Sequence, residues 1–560
     1  MREIILKWAL KNAVDHDGKA MAGAVISKAI GEDNKLKNDM KKLGTEVAKT
    51  VAEVNAMDIA EQIAALEKMA PHLLEKKETK YELPELPNAK EGQVVMMFPP
   101  EPSKFPQIGH ARACWLNYYY AKKYDGKFTI RFEDTNANKV KKEYYEEMLN
   151  GFKWLGVVWD KVDYISDHID KMYEYAEKLI SKDKAYMCNC PTEKVRELRA
   201  KEEACMCRDN LRKENLALWK DMLSNKFKEG EYSLRAKIDM KHKNAAMRDP
   251  AIMRTVIGTH PRVGDKYLVW PNYDFATAIM DKIEGITHRL RGKEFEMRAE
   301  IQQWIQKELK MKSPVIIEFA RSNLEGVPAS GRIIREGIAS GQFIGWDDPR
   351  LPTLIALQRR GFQPEAIRNF IVNLGLTKAE SVIQWNLLEA ENRKVIESIA
   401  NRYFMVREPI EMIVKKAPEN LKAKVKLHPD KPERGFKEYE FKGNEIHVFV
   451  DKHDLLNKKQ DDKFRLMDLC NIKLEIMDEE KITAHFESKE MQPGIKIIHW
   501  VPVEGAVDIE ILMADGEIYY GTAESAINDL KVNDVIQFIR FGFCRLDEKR
   551  KTLKFRFTHT

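Results

Sequence analysis

Two short stretches of the chain carry residues whose types and spacing suit chemistry. The first is Gln107-Ile108-Gly109-His110, within "MMFPPEPSKFPQIGHARACWLNYYY" from Met96 to Tyr120. An apolar run, a proline-rich loop and a helix-like stretch follow one another, so the glycine and the histidine fall at the mouth of a helix. A helix N-terminus presents unpaired backbone N–H groups and a positive dipole end, which suits phosphate. Gly109, without a side chain, lets a flat base or a phosphate approach the backbone, and His110 is placed to donate a hydrogen bond to a phosphate oxygen. Glu133 and Asp134, closing "GKFTIRFED", offer carboxylates for an ammonium group. The second stretch, "CNCPTEKVRELRAKEEACMC", holds Cys188, Cys190, Cys205 and Cys207 as two C-x-C pairs. Four clustered thiols in a large chain without a secretory signal point to metal before disulfide. Four thiolates match a closed tetrahedral zinc site, structural because no position is left for water. The residues between the pairs read as one helix with proline near its start, so the chain must fold back to bring the pairs together.

These residues need elements to position them. "VVMMF" reads as a short buried strand, "GHARACWLNYYYAKKY" as a helix and "GKFTIRFED" as a second strand, the opening β-loop-α-β unit of a doubly wound parallel sheet. Ligands of such sheets bind beyond the carboxyl ends of the strands, where the first stretch and Glu133 both lie. The sheet resumes at "WPNYDFATAIMDKIEGITHRLRG" and "PVIIEFARSNLEG" after a long polar insertion. Before it, "AGAVISKAIGEDNKLKNDMKKL" and "VAKTVAEVNAMDIAEQIAALEKMA" space apolar residues at three and four, as helices do. "KYELPELPNAKEGQ", Lys80 to Gln93, reads as a linker. Short alternating strands such as "NEIHVFV", "KITAHFE" and "DVIQFIRFGF" mark a β-barrel region at the other end.

The chain has 560 residues, 44% of them hydrophobic, enough for several domains with their own cores. Charged residues make up 32% but nearly balance, at a net +6, which neither requires nor excludes a nucleic-acid partner. No apolar run reaches the roughly 20 residues that a membrane span needs, and "MREIILKWALKNAVDHDGKA" is not a secretory signal. A cytoplasmic protein without a membrane partner is expected.

The first stretch resembles the HIGH motif of class I aminoacyl-tRNA synthetases, in the glutamyl/glutaminyl branch. "FPPEPSKFPQIGHARA", "IRFEDTN", "WPNYDFATAIMDKIEGITHRLRGKEF" and "GWDDPRLPTLIALQRRG" are each similar to segments of that branch. "HPDKPERG", "IIHWVP" and "RFGFCRLD" resemble the anticodon domains of its archaeal-type glutamyl members. The resemblance runs nearly end to end. It implies a multidomain α/β plus all-β architecture: a helical appended domain at 1–85, a Rossmann-like class I catalytic domain at 86–167 and 271–335, an inserted acceptor-stem domain with the zinc site at 168–270, a helical stem-contact domain at 336–405, and β-barrel anticodon-binding domains at 406–560.

The resemblance implies an activity as well: ATP-dependent attachment of glutamate to tRNA(Glu) through a glutamyl-adenylate, by a monomer using ATP and Mg²⁺, with tRNA(Gln) as a second candidate substrate. By position, Gln107, Gly109 and His110 belong to the first signature. Glu133 matches the residue that holds the substrate α-amino group, Tyr273 and Asp274 lie in the substrate-binding segment, and Arg291 falls where glutamyl members carry an arginine for the γ-carboxylate. The second signature corresponds to "VPASGR", with Ser330 as its serine. The chain departs from the pattern at Met97, where the family has an arginine on the substrate carboxylate, at Gln107 for the first histidine, at Gly331 for the phosphate-contacting lysine, and at Phe295, which matches the glutaminyl branch. Arg332 or Arg335 is the expected replacement for the missing lysine. The alternatives are glutaminyl specificity and a non-catalytic tRNA-binding paralogue.

Overall fold

The computed structural model describes residues 1–16, 18–73, 82–320, 322–328, 330–456, 458–477 and 481–560. They fall into two compact units, Met1–Tyr81 and Glu82–Thr560. The first is all helical, with helices over Arg2–Asp15, Ala22–Glu32, Met40–Asn55 and Ile59–Met69 around a core that includes Leu10, Leu43, Val47 and Leu66. Asp58 and Glu61 cap the start of the last of these reciprocally, satisfying backbone donors that the helix itself cannot.

Residues 80 and 81 of the expected linker lie outside the described residues; the remainder is packed rather than loose. Leu83 and Leu86 are buried in the core of the second unit. The Tyr124 hydroxyl accepts from the Leu86 N–H at 2.9 Å, and the Tyr120 hydroxyl donates to the Pro84 carbonyl at 2.6 Å.

The centre of the second unit is a parallel sheet built as the sequence pattern predicts. Strand β1 (Val95–Phe98), helix α1 (Ile108–Lys123), strand β2 (Lys127–Phe132), helix α2 (Lys142–Trp154) and strand β3 (Lys161–Tyr164) form one half, with β2 between β1 and β3. Helix α3 (Tyr273–Glu284), strand β4 (His288–Gly292), helix α4 (Ala299–Glu308) and strand β5 (Val315–Phe319) form the other, with β4 and β5 parallel. Thr287 joins the halves: its N–H donates to the Val95 carbonyl at 3.0 Å and its hydroxyl accepts from the Val95 N–H at 2.9 Å. The order is therefore β3-β2-β1-β4-β5, and the direction of winding reverses between β1 and β4. That reversal opens the crevice in which doubly wound sheets bind ligands. Met96, Met97 and Phe98 are buried, which is why β1 reads as an unbroken apolar run, whereas β2 alternates Lys127, Thr129 and Arg131 with its buried Phe128, Ile130 and Phe132.

Between the halves, a four-stranded antiparallel sheet uses Ala185–Cys188, Ser233–Ala236, Ala251–Thr255 and Val269–Pro271 in that order. Its core is continuous with α3 and α4 through Phe275, Ile279, Ile301 and Ile305. Helix α5 (Gly331–Ala339) and helices over Leu354–Arg360, Pro364–Leu374 and Trp385–Ile396 follow. Besides a two-stranded antiparallel pair, Leu421–Lys426 with Phe436–Phe441, the remaining chain forms two seven-stranded sheets. One is built from strands between 409 and 502, the other from Asn401–Tyr403, Met405–Val406 and strands between 507 and 559. The β region thus begins at Asn401 rather than about 406. It is also not a simple succession of barrels, because the second sheet starts before the first and finishes after it.

Candidate functional site

A cavity of about 320 Å³ opens at the β1–β4 crossover. Three elements converge on it: the loop and helix mouth after β1, the carboxyl end of β4, and the start of α3. From the first come Gln107, Gly109 and His110; from the second Arg289 and Arg291; from the third Tyr273, and Phe295 lies beside it. Tyr273 and Phe295 pack at 5.3 Å between ring centroids.

Gln107 is the residue before α1. Its backbone N–H donates to His110 Nδ1 at 3.1 Å, so a neutral His110 carries its proton on Nε2. The buried amide nitrogen of Gln107 has no hydrogen-bond partner, an arrangement that costs free energy until an acceptor fills it. A Cβ built on Gly109 would meet nothing within 4 Å, so the backbone here faces open space. Met97 is buried in the wall beside them.

The floor is cationic. Arg289 and Arg291 are two residues apart on β4 and so share one face of the strand. Both are buried. Gln302, from α4, accepts from Arg289 Nη1 and from Arg291 Nη1, each at 3.0 Å. Arg289 Nη1 also donates to Asp281 at 2.9 Å, and Arg291 Nη2 to Glu318 at 3.3 Å. The Nε of each guanidinium is buried without a partner. Burial pulls the Arg291 pKa below its usual value. Two desolvated guanidiniums facing one cavity favour an anionic group, and their geometry suits a carboxylate.

Other expected residues fall elsewhere. Glu133 is not a wall residue: its carboxylate lies behind the cavity, 3.7 Å from Arg131 Nε, and accepts from Thr277 at 3.3 Å. Burial pushes its pKa up to about 7, against the pull of Arg131 and Arg289. Asp134 serves the fold, accepting from the Ser166 N–H at 2.9 Å, the Ser166 hydroxyl at 2.7 Å and Tyr145 at 3.1 Å. Asp274 does not line the cavity either; Arg298 at 2.7 Å and Gln302 at 3.0 Å occupy its two oxygens. It orients Gln302, and through it the two arginines. Ser330 is exposed and precedes α5, outside the wall. Arg332 is 79% exposed and lies 3.7 Å from Glu336 one turn on along α5. Arg335 donates to the Ser103 carbonyl at 2.7 Å. Neither arginine reaches into the cavity, so the expected replacement for a lysine at 331 is not where the sequence suggested.

Arg289 and Gln302 lie outside the residues that the sequence motifs single out. The alternation in "HRLRG" was the available signal for Arg289, since period-two spacing puts it beside Arg291. No local signal marks Gln302, whose role depends on how α4 packs across the sheet.

The four cysteines come together. Their sulfurs all lie within 4.8 Å of one another, with Cys188 and Cys205 at 3.9 Å and Cys190 and Cys207 at 3.8 Å. Four sulfurs at about 2.3 Å from one zinc stand about 3.8 Å apart in a tetrahedron, so the set fits that ion. The helix Thr192–Lys201 ends at Glu202 with φ 61°, in the left-handed region, and that residue turns the chain back. Arg235 Nη1 lies 3.8 Å from both Cys188 and Cys205, a cation beside two of the sulfurs.

Residues 93–398 match the family "tRNA synthetases class I (E and Q), catalytic domain", and residues 400–489 and 497–547 match two anticodon-binding-domain families of the same group. Glutamate–tRNA ligases of Thermococcus onnurineus and Pyrococcus furiosus are each 42% identical over 98% of this chain and 97% of their own. The glutamate–tRNA ligase of Methanothermobacter thermautotrophicus is 38% identical over 100% of this chain and 99% of its own. A solved glutamate tRNA ligase from Elizabethkingia meningosepticum superposes with a TM-score of 0.42 at 17% identity, covering 55% of this chain and 70% of that one.

Proposed function

The chain belongs to the class I tRNA synthetases of the glutamate and glutamine group, and from that premise we infer that it joins glutamate to tRNA(Glu) with ATP. In the first step a glutamate α-carboxylate oxygen attacks the α-phosphorus of ATP and pyrophosphate leaves. In the second, a hydroxyl of the terminal tRNA ribose attacks the activated carbonyl and AMP leaves. No side chain forms a covalent bond, so the protein acts by placement and by stabilising charge. The open face above Gly109 takes the nucleotide, with the His110 imidazole and the Gln107 amide nitrogen as hydrogen-bond donors. Tyr273 and the two arginines hold the amino acid, and Glu133 draws its ammonium group from behind the wall. Mg²⁺ arriving with the nucleotide would offset phosphate charge. Cys188, Cys190, Cys205 and Cys207 would hold zinc as a structural centre at the end of the inserted sheet's first strand. The cytoplasmic location and monomeric state belong to the same reading.

The observation that carries the choice of amino acid is the pair of buried guanidiniums. A guanidinium has only donors, so an amide NH₂ facing it finds no acceptor, whereas a γ-carboxylate is matched. Amino-acid-dependent pyrophosphate exchange, with and without tRNA, followed by charging of tRNA(Glu) and tRNA(Gln), tests this. Glutamate is expected to support both reactions and glutamine neither. Preference for glutamine reverses the specificity, and tight tRNA binding with no exchange makes the chain a non-catalytic relative.

A further inference from the structure

Four cationic side chains among the described residues line the cavity: Lys104, Arg112, Arg289 and Arg291. Arg112 donates to the backbone carbonyls of Ala320 at 3.0 Å and Gly375 at 2.9 Å. Arg289 and Arg291 are gathered on Gln302 at the amino-acid end. Lys104 comes from the loop between β1 and α1, at the same rim as Gly109 and His110.

Its stem has a fixed seat. A Cβ built on Gly331 would fall 2.6 Å from Lys104 Cδ, 3.2 Å from its Cβ and 3.4 Å from its Cγ. The aliphatic part of Lys104 therefore lies over the bare Cα of Gly331, in the space that a side chain at 331 would take. The loop is strapped on both sides of this contact. Arg335 holds the Ser103 carbonyl at 2.7 Å, and Phe105 stacks on Trp346 with parallel rings 5.1 Å apart. The Ile108 N–H donates to Pro352 and the Leu354 N–H to Pro106, at 3.0 and 2.9 Å. A lysine loses much side-chain freedom when it is ordered; here the packing has already met part of that cost before any ligand arrives.

We propose that Lys104 is a catalytic residue whose ammonium contacts the ATP triphosphate, supplying from the first loop the cation that position 331 lacks. In adenylate formation the α-phosphorus gains a bond to the glutamate carboxylate oxygen and loses its bond to the oxygen bridging to the β-phosphate. The electron pair of that broken bond stays with pyrophosphate, and a preorganised cation beside it lowers the barrier. This assignment rests on the synthetase reading above.

The test uses the full-length chain and glutamate-dependent pyrophosphate exchange. Lys104→Met keeps the stem over Gly331 and removes the charge. It is expected to slow exchange by about 10²- to 10³-fold, with the KM for glutamate unchanged and the thermal midpoint close to wild type. Lys104→Gly combined with Gly331→Lys is expected to recover much of the lost rate, because the new lysine enters the vacated seat. Gly331→Lys alone is expected to lower the rate, since two stems then compete for one space. A wild type active with glutamate, alongside a Lys104→Met variant within about twofold of it, overturns the role of Lys104 and leaves the synthetase reading intact. A wild type with no exchange, with or without tRNA(Glu), overturns both.

Discussion

Arg291 and Glu133 illustrate how single side chains decide binding here. Arg291→Ala removes a charge-assisted contact worth roughly 1.5–3 kcal/mol, so the KM for glutamate is expected to rise about ten- to a hundredfold. The same change leaves the half-buried Glu318 with only Lys378, at 3.9 Å, as an ion-pair partner. Adding Glu318→Gln relieves that loss, so a KM effect that survives in the double variant belongs to the substrate. For Glu133, the carboxyl raised to about 7 by burial must be ionised to attract an ammonium group. The KM for glutamate is therefore expected to fall as pH rises through 7, and Glu133→Gln should flatten that profile. The stability effect has the opposite sense. A carboxyl whose pKa rises on folding contributes stability that is full below its unfolded value and lost as pH rises through the folded one. Glu133→Gln is thus expected to raise the thermal midpoint relative to wild type at pH 8 and to leave it unchanged at pH 4. The sequence marked Gly109, His110, Tyr273 and Arg291 because their neighbours along the chain form recognisable motifs. It could not mark Lys104, because the vacancy at Gly331 is filled by a residue distant in sequence and the nearest cation in sequence, Arg332, points to solvent.

At the scale of elements, the parallel sheet was legible because apolar runs, Gly/Pro punctuation and a helical period alternate from Val94 to Trp154. The join of the two halves at Thr287 was not, since a single threonine bonding to Val95 leaves no pattern in sequence. The cysteine set was legible in its spacing, and its closure depended on a left-handed turn at Glu202 that a non-glycine residue seldom adopts. A zinc ion there would pin the helix Thr192–Lys201 against the strand ending at Cys188. Metal analysis after dialysis against a weak chelator is expected to find one zinc per chain. Replacing Cys188 and Cys205 by serine should abolish that signal and weaken charging of tRNA more than pyrophosphate exchange. A metal-free wild type with full charging activity would remove zinc from the account. The inserted sheet shares its core with α3 and α4, so damage there is also expected to loosen the residues at the start of α3, Tyr273 among them.

Across the whole molecule, each of the two compact units has a core drawn from its own residues. The segment 82–560, produced alone, is expected to unfold in a cooperative transition and to retain glutamate-dependent exchange; aggregation or loss of exchange would show that Met1–Tyr81 is needed for its folding. Within that segment, the two β sheets are nested rather than consecutive. Asn401–Tyr403 pairs with Val535–Phe538 and Met405–Val406 with Ile518–Ala523, while the strands between 409 and 502 close on themselves. The strand Leu553–His559 then returns to the helices before it: Arg360 donates to the Thr558 carbonyl at 2.6 Å, and Asn392 meets His559 at 3.0 Å. This nesting dictates an order of events during synthesis. As the chain leaves the ribosome, residues 401–406 emerge early but have no strand partners until more than a hundred further residues have followed. The enclosed sheet is free to form meanwhile, and the enclosing one waits for its final strand. Translation that stalls between 507 and 553 therefore leaves unpaired strand edges exposed on the nascent chain, the condition under which β-rich segments associate with one another.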